Sequence, residues 1–247
     1  MTEEQIQQAR YHAARDIAHR WFAFFEGETE EITDHLDIFS EEVMLVHGGT
    51  HLLAKGKIAM SHWLRHLPYE KGSHFIRRIQ LIRQTEHEAD VNIDIGYQAV
   101  RADGEVGGAL SEYRTTVSFD DNHNAVFTFL QKTPRHPNPD NVFRDSFAEN
   151  RLHSFIARLS QVLLLSSDEG IKAILHDATD RVTGCELFSL LKNLKATNIH
   201  VESMDTDGLA CSLAISTQER MWTLNLVLTE TAGRYLTIRH AALDLND

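Results

Sequence analysis

The sequence predicts an α+β protein in which two successive halves each run helices first and antiparallel strands last. Residues 4–26 and 142–165 place apolar side chains at three- and four-residue steps, the period of an amphipathic helix. Each stretch is followed, after shorter helical segments, by runs in which apolar and polar residues alternate, the period of a half-buried strand. Three of the four prolines, Pro134, Pro137 and Pro139, fall between the halves.

In the first helix Ile6, Ala9, Ala13, Ile17 and Trp21 form the apolar stripe, Ala14, Ala18, Phe22 and Phe25 widen it, and Gly27 is a C-terminal stop. A short helix is expected over 31–39, then a strand over 43–47 ending at the Gly48-Gly49 turn. Residues 57–67 return to helical spacing, with Met60, Trp63, Leu64 and Leu67 on one face and Pro68 closing it. Strands are expected over 74–83, 89–101, 109–119 and 125–132, with hairpin-type turn residues at 102–104 and 120–124. Their alternation favours antiparallel pairing with one face on the helices.

Proline fixes φ and removes a backbone donor, so residues 134–141 read as a stiff, extended connector. It divides the chain into a domain over 1–133 and a shorter one over 142–247. The second is expected to hold helices over 142–165, 168–176 and 185–194, strands over 198–204, 209–216, 221–229 and 235–243, and turns at 205–208 and 231–233.

The 247 residues carry a formal net charge of -12, which repels phosphate backbones and anionic lipid, so neither nucleic acid nor membrane is an expected partner. The N-terminus lacks the basic and apolar regions of a secretory signal, and no apolar run approaches the roughly 20 residues of a membrane span. The expected location is the cytoplasm. Cys185 and Cys211 form no CxxC motif and read as reduced, core-sized side chains. GxSxG, Walker and dinucleotide-binding patterns are absent, and no cofactor is expected.

The run FSEEVMLV from Phe39 and the run KGKIAMSHWL from Lys55 resemble the nuclear-transport-factor-like cone-fold superfamily, in its polyketide-cyclase-like (SnoaL-like) branch. The resemblance implies a glycine-led helix and a bent antiparallel sheet wrapped around the helices over 4–132. It implies a second, abbreviated cone-like copy over 142–247. Members include isomerases, dehydratases, cyclases and non-catalytic binders, so it implies a pocket rather than one reaction.

Such a pocket lies between the concave face of the sheet and the helices. Alternation puts His47, Tyr97, Ser111 and Tyr113 on the apolar, helix-facing parity of their strands, and Tyr11, Trp21 and Trp63 join them from helices. These seven are the expected ligand-binding residues. Asp94 points away by parity, and a one-residue slip in register would bring it inside as a general base, so Asp94 and His47 are the candidate catalytic residues. His62 and His66 share a helical face, and His47 and His51 flank a glycine turn. No cysteine or carboxylate joins them at a telling spacing, so no metal is expected.

The reading is a small-molecule-binding protein whose N-terminal domain holds a small apolar or amphipathic ligand. One alternative is a cofactor-free acid/base cyclase, isomerase or dehydratase. Another is a scaffold that uses Leu110, Val126 and Leu130 as exposed apolar strand positions. The second half offers only Asn225 and His240 as inward polar groups. It is expected to be structural, through intramolecular domain pairing or a homodimer of the same kind.

Overall fold

The computed structural model describes residues 2–27, 32–68, 70–175, 181–230 and 236–246, apart from the side chains of 34, 181–185 and 246. The predicted turn at 231–233, His176 and the Cys185 side chain lie outside them. The chain falls into two units, one of Ile17–Asn150, the other of Met1–Asp16 with Arg151–Asp247. The division runs inside helices α1 (Glu3–Glu26) and α3 (Phe147–Leu165), not at the prolines.

In the Ile17–Asn150 unit the last turns of α1 lead to a 3-10 helix (Ile32–Ile38), β1 (Phe39–His47), β2 (His51–Lys55), α2 (Lys57–Arg65), β3 (Gly72–Gln84), β4 (Glu88–Val100), β5 (Val106–Phe119) and β6 (Ala125–Pro137). Among the described residues these strands make one sheet in the order β2-β1-β6-β5-β4-β3. Pairing is antiparallel as expected, except that β1 and β6 run parallel. Helices first, a glycine before α2 and a sheet facing the helices make this the cone-fold plan that the resemblance implies. Trp21, Phe22, Met60, Val43, Ile93, Ile95, Val117 and Phe127 are its buried core.

Two irregularities decide which side chains face inward. In β6 the pairs Val117↔Phe127 and Thr116↔Phe129 leave Thr128 as an extra residue. A bulge of this kind reverses the parity of everything after it. Leu130, expected outside, is therefore fully buried, and Lys132 turns inward opposite Tyr113. In β3 a register shift between Ile76 and Arg78 disturbs the alternation, whereas β4 pairs with β5 without a break from Glu88 to Val100.

The expected connector starts later than the prolines suggest. β6 continues to Pro137, pairing Pro134 with Ser111 and Pro137 with Ala109. Its pairing with β1 ends at Lys132, so beyond that point β6 is an edge, where a missing N–H leaves no ladder bond unmade.

In the other unit α3, α4 (Asp168–Ile174) and α5 (Arg181–Asn193) accompany an antiparallel sheet of β7 (Asn198–Asp205), β8 (Ala210–Ser216), β9 (Met221–Glu230) and β10 (Leu236–Asn246) in the order β10-β9-β8-β7. Leu152, Phe155, Leu159, Ile171, Leu213 and Leu224 belong to its core. Ser167 caps α4 by accepting the Gly170 N–H at 3.1 Å. Asn225 and His240 are exposed, contrary to expectation. Leu224, Leu226 and Leu228 take the buried positions of β9, and a bulge between Ile238 and His240 shifts β10. Cys211 is buried, which pushes its thiol up to about 12. Among the described residues no helix is long and apolar enough to cross a membrane.

Gly108 sits where a Cβ would collide with the Tyr97 backbone carbonyl. Gly108→Ala is expected to lower stability by roughly 1–3 kcal/mol in denaturant unfolding. Burial holds His12 down at about 4 and His35 at about 3, each also pushed by a nearby arginine. Both folded values lie below the usual 6.5, so the unfolded chain takes up protons first as pH falls. Stability should be fully present above pH 6.5 and be lost through the window from 6.5 towards 4 and 3. The loss is about 1.4 kcal/mol per group per pH unit, read as a falling Tm.

Candidate functional site

The C-terminal end of α1, α2 and the inner face of the sheet enclose a cavity of about 800 Å3 within the Ile17–Asn150 unit. Trp21, Phe24, Phe25, Trp63 and Phe143 form an aromatic part of its wall, and Arg65, Glu70, Lys71 and Asp145 bring charge to it. Trp21 stands edge-on to Phe25 at 4.7 Å and to Phe39 at 5.5 Å, which fixes the indole as a rigid wall. An apolar hollow with a few converging polar groups is the usual form of a small-ligand site.

The polar groups begin with Glu26, the last residue of α1. Its side chain is only 1% exposed although it stands at the negative end of the helix dipole, where a carboxylate is disfavoured. Hydrogen bonds compensate. Glu26 Oε1 accepts from Ser146 Oγ at 2.8 Å, from the His74 backbone N–H and from His74 Nδ1 at 3.2 Å, and Oε2 accepts from Asn150 Nδ2 at 3.4 Å. Asn150 Nδ2 also reaches the His74 carbonyl at 3.0 Å, and its Oδ1 meets His19 Nδ1 at 3.0 Å. Ser146, Asn150 and His19 are all buried. Every member of this network is an orienting partner of the Glu26–His74 pair.

His74, on β3, lines the cavity. Burial lowers its pKa below the usual 6.5, opposed by the bond to Glu26, so the ring is neutral at pH 7. With Nδ1 donating to Glu26, Nε2 keeps its lone pair, and among the described residues it takes no hydrogen bond. Tyr97 lies with its ring centre 5.0 Å from that of His74 and donates its hydroxyl to Glu70. Burial, then that bond to Glu70, raise the Tyr97 pKa; burial likewise raises that of Tyr113. Both phenols are neutral donors over the physiological range.

Of the residues expected from sequence, Trp21, His47, Trp63, Tyr97 and Tyr113 line this cavity. His47 is exposed there, whereas the imidazole held by a carboxylate is that of His74. Three expected residues are elsewhere. Tyr11 belongs to the other unit. Ser111 is buried beneath the inner face without lining the cavity. Asp94 keeps its outward parity, because β4 holds its register against β5, and pairs with Arg78 at 2.8 Å. It is unavailable as a base inside. His62 and His66 stack at 4.1 Å on α2, and His66 Nδ1 bonds the His62 carbonyl at 2.7 Å. Among the described residues no group of three or more metal-ligating side chains occurs.

Glu26, His74 and Lys132 were not legible as site residues. For Glu26 a signal existed: it extends the buried stripe Ala18–Phe22 by one more four-residue step, and it is an acid in a last turn that has no base. His74 opens the run 74–83, which reads from its residues only as a strand. Lys132 is turned in by the Thr128 bulge, which alternation cannot show.

A scan of protein-family models finds no match, and a comparison with curated proteins finds none. Solved structures similar to the chain include a type-2 hexachlorocyclohexane dehydrochlorinase, at 10% identity and a TM-score of 0.48 over 56% of this chain and 94% of that one. The type-3 enzyme from Novosphingobium barchaimii LL02 matches at 12% and 0.47, over 56% and 97%. An ntf2-like protein with a cystatin-like fold from Novosphingobium aromaticivorans matches at 13% and 0.39, over 52% and 80%.

Asn150→Ala removes the amide that holds Glu26, His19 and the His74 carbonyl together. It is expected to destabilise by roughly 1–3 kcal/mol, read from urea unfolding, because buried partners are left unmade.

Proposed function

We propose that the Ile17–Asn150 unit binds a small, largely apolar or aromatic molecule and removes a proton from one of its carbons without a cofactor. The single observation behind this is the pairing of His74 with buried Glu26 on the wall of an aromatic cavity. A neutral imidazole whose far nitrogen is anchored by a carboxylate is a competent general base. Nε2 takes the proton. The imidazolium that forms is stabilised by Glu26, whose position also selects the tautomer with the lone pair at Nε2. Tyr113, a neutral hydroxyl on the same cavity, supplies a hydrogen bond to the remainder of the ligand, while Tyr97, whose proton goes to Glu70, offers the face of its ring. The wider groove of about 1080 Å3 in the other unit, between the α3–α4 junction and β9, has a mainly exposed polar rim and no comparable buried pair.

A generic carbon acid tests this reading. Base removal of the C3 proton of 5-nitrobenzisoxazole breaks its N–O bond and yields a coloured cyanophenolate. The protein should accelerate that reaction, with the rate holding through the ordinary imidazole range and falling only at more acid pH, because burial keeps the His74 pKa below the usual value. His74→Gln should reduce the rate roughly 100-fold with the fold retained by circular dichroism. An unchanged rate in His74→Gln would sink the proposal.

A further inference from the structure

Lys132 has no role in the proton transfer, yet its side chain lines the same cavity. Among the described residues its ammonium meets no carboxylate within ion-pair distance and donates no side-chain hydrogen bond. Its Nζ instead stands over the face of Tyr97, 5.2 Å from the ring centre, while His74 approaches that same ring at 5.0 Å. The anionic group that acts on it, Glu70, is exposed and already accepts the Tyr97 hydroxyl. The strand geometry makes the position deliberate: the Thr128 bulge turns Lys132 inward, and its backbone carbonyl is fixed by the Gly48 N–H at 2.9 Å. Burial lowers the pKa of the amine, the sign of a cation short of its solvating partners.

We infer that Lys132 is the anchor for an anionic oxygen of the ligand. The ligand class is thus an aromatic or alicyclic body that carries a carboxylate, or a carbonyl oxygen that gains negative charge as the proton leaves. This inference rests on the proposed proton transfer for its second form and on the cavity alone for its first. When Nε2 of His74 takes a proton from the carbon next to a carbonyl, the C–H pair becomes the C=C bond and the carbonyl pair moves to oxygen. The Lys132 ammonium, itself partly buried, then faces that oxyanion, and a charge pair counts for more there than in bulk water.

The probes are 2-naphthoate and 2-naphthamide, matched in shape and different in charge, titrated by quenching of the Trp21 and Trp63 fluorescence in the full chain. Naphthoate should bind more tightly than naphthamide. Lys132→Met should weaken naphthoate roughly 10-fold or more and leave naphthamide within about twofold. Glu70→Gln, at an exposed position that does not threaten folding, should tighten naphthoate alone by removing a competing charge. If Lys132→Met fails to fold, that second variant decides the matter. Equal losses for both probes, or naphthoate binding indifferent to both substitutions, overturn the inference; so does a wild-type protein that binds neither probe. Failure of the proton-transfer reading shows separately, as benzisoxazole turnover that survives His74→Gln while naphthoate still follows the charge of Lys132.

Discussion

The Ile17–Asn150 unit is organised around a carboxylate buried in an unfavourable place. Glu26 sits at the end of a helix whose unpaired carbonyls repel it, and almost no solvent reaches it. An ionised group in such surroundings survives only where donors surround it. Ser146 and Asn150, at and just before the start of α3, and the backbone and ring of His74 on β3 supply them. Each donor is distant from Glu26 in sequence, by 48 residues for His74, 120 for Ser146 and 124 for Asn150. The network therefore ties three elements to one point and leaves the imidazole with a fixed tilt and tautomer. Isolated buried charges are costly, so the arrangement is better explained by chemistry than by stability.

The cavity wall carries the Glu26–His74 pair, a neutral base backed by a negative charge, and the Lys132 cation, beside the further charges of Arg65, Glu70, Lys71 and Asp145. Both approach the ring of Tyr97, whose own hydroxyl is directed to Glu70. Under the proposed proton transfer, that places a base and a cation around one aromatic ring.

Much of this architecture is written in residue periodicity. The stripe of α1, the helical face of Met60 and Leu64, and the alternation of β4 and β5 are strong signals, because each element buries one face. The same alternation places Tyr97 and Tyr113 towards the helices. What alternation cannot carry is a change of phase. Thr128 inserts one residue into β6, so Leu130 and Lys132 swap sides relative to a regular strand. β3 changes register after Ile76, so His74 is not sorted by a pattern at all. Glu26 breaks a local electrostatic preference, and such conflicts between local rule and global fold gather at working sites. The prolines misplace the start of the connector for a related reason: whether proline is tolerated depends on which side of a strand has a neighbour, and that is a property of the sheet.

The proline-bearing end of β6 also bears on how the protein behaves in a crowd. Once β1 has departed, a free row of strand donors and acceptors would ordinarily invite another chain to dock alongside and start a growing stack. Pro134 and Pro137 have no N–H to offer, and His136 is exposed between them. At the opposite margin β3 presents Arg77, Arg78 and Arg83 to solvent, which burdens any second copy with like charge. These two stretches of free edge are thus poor templates for aggregation, even though the interior strands of the sheet are rich in β-branched and aromatic residues.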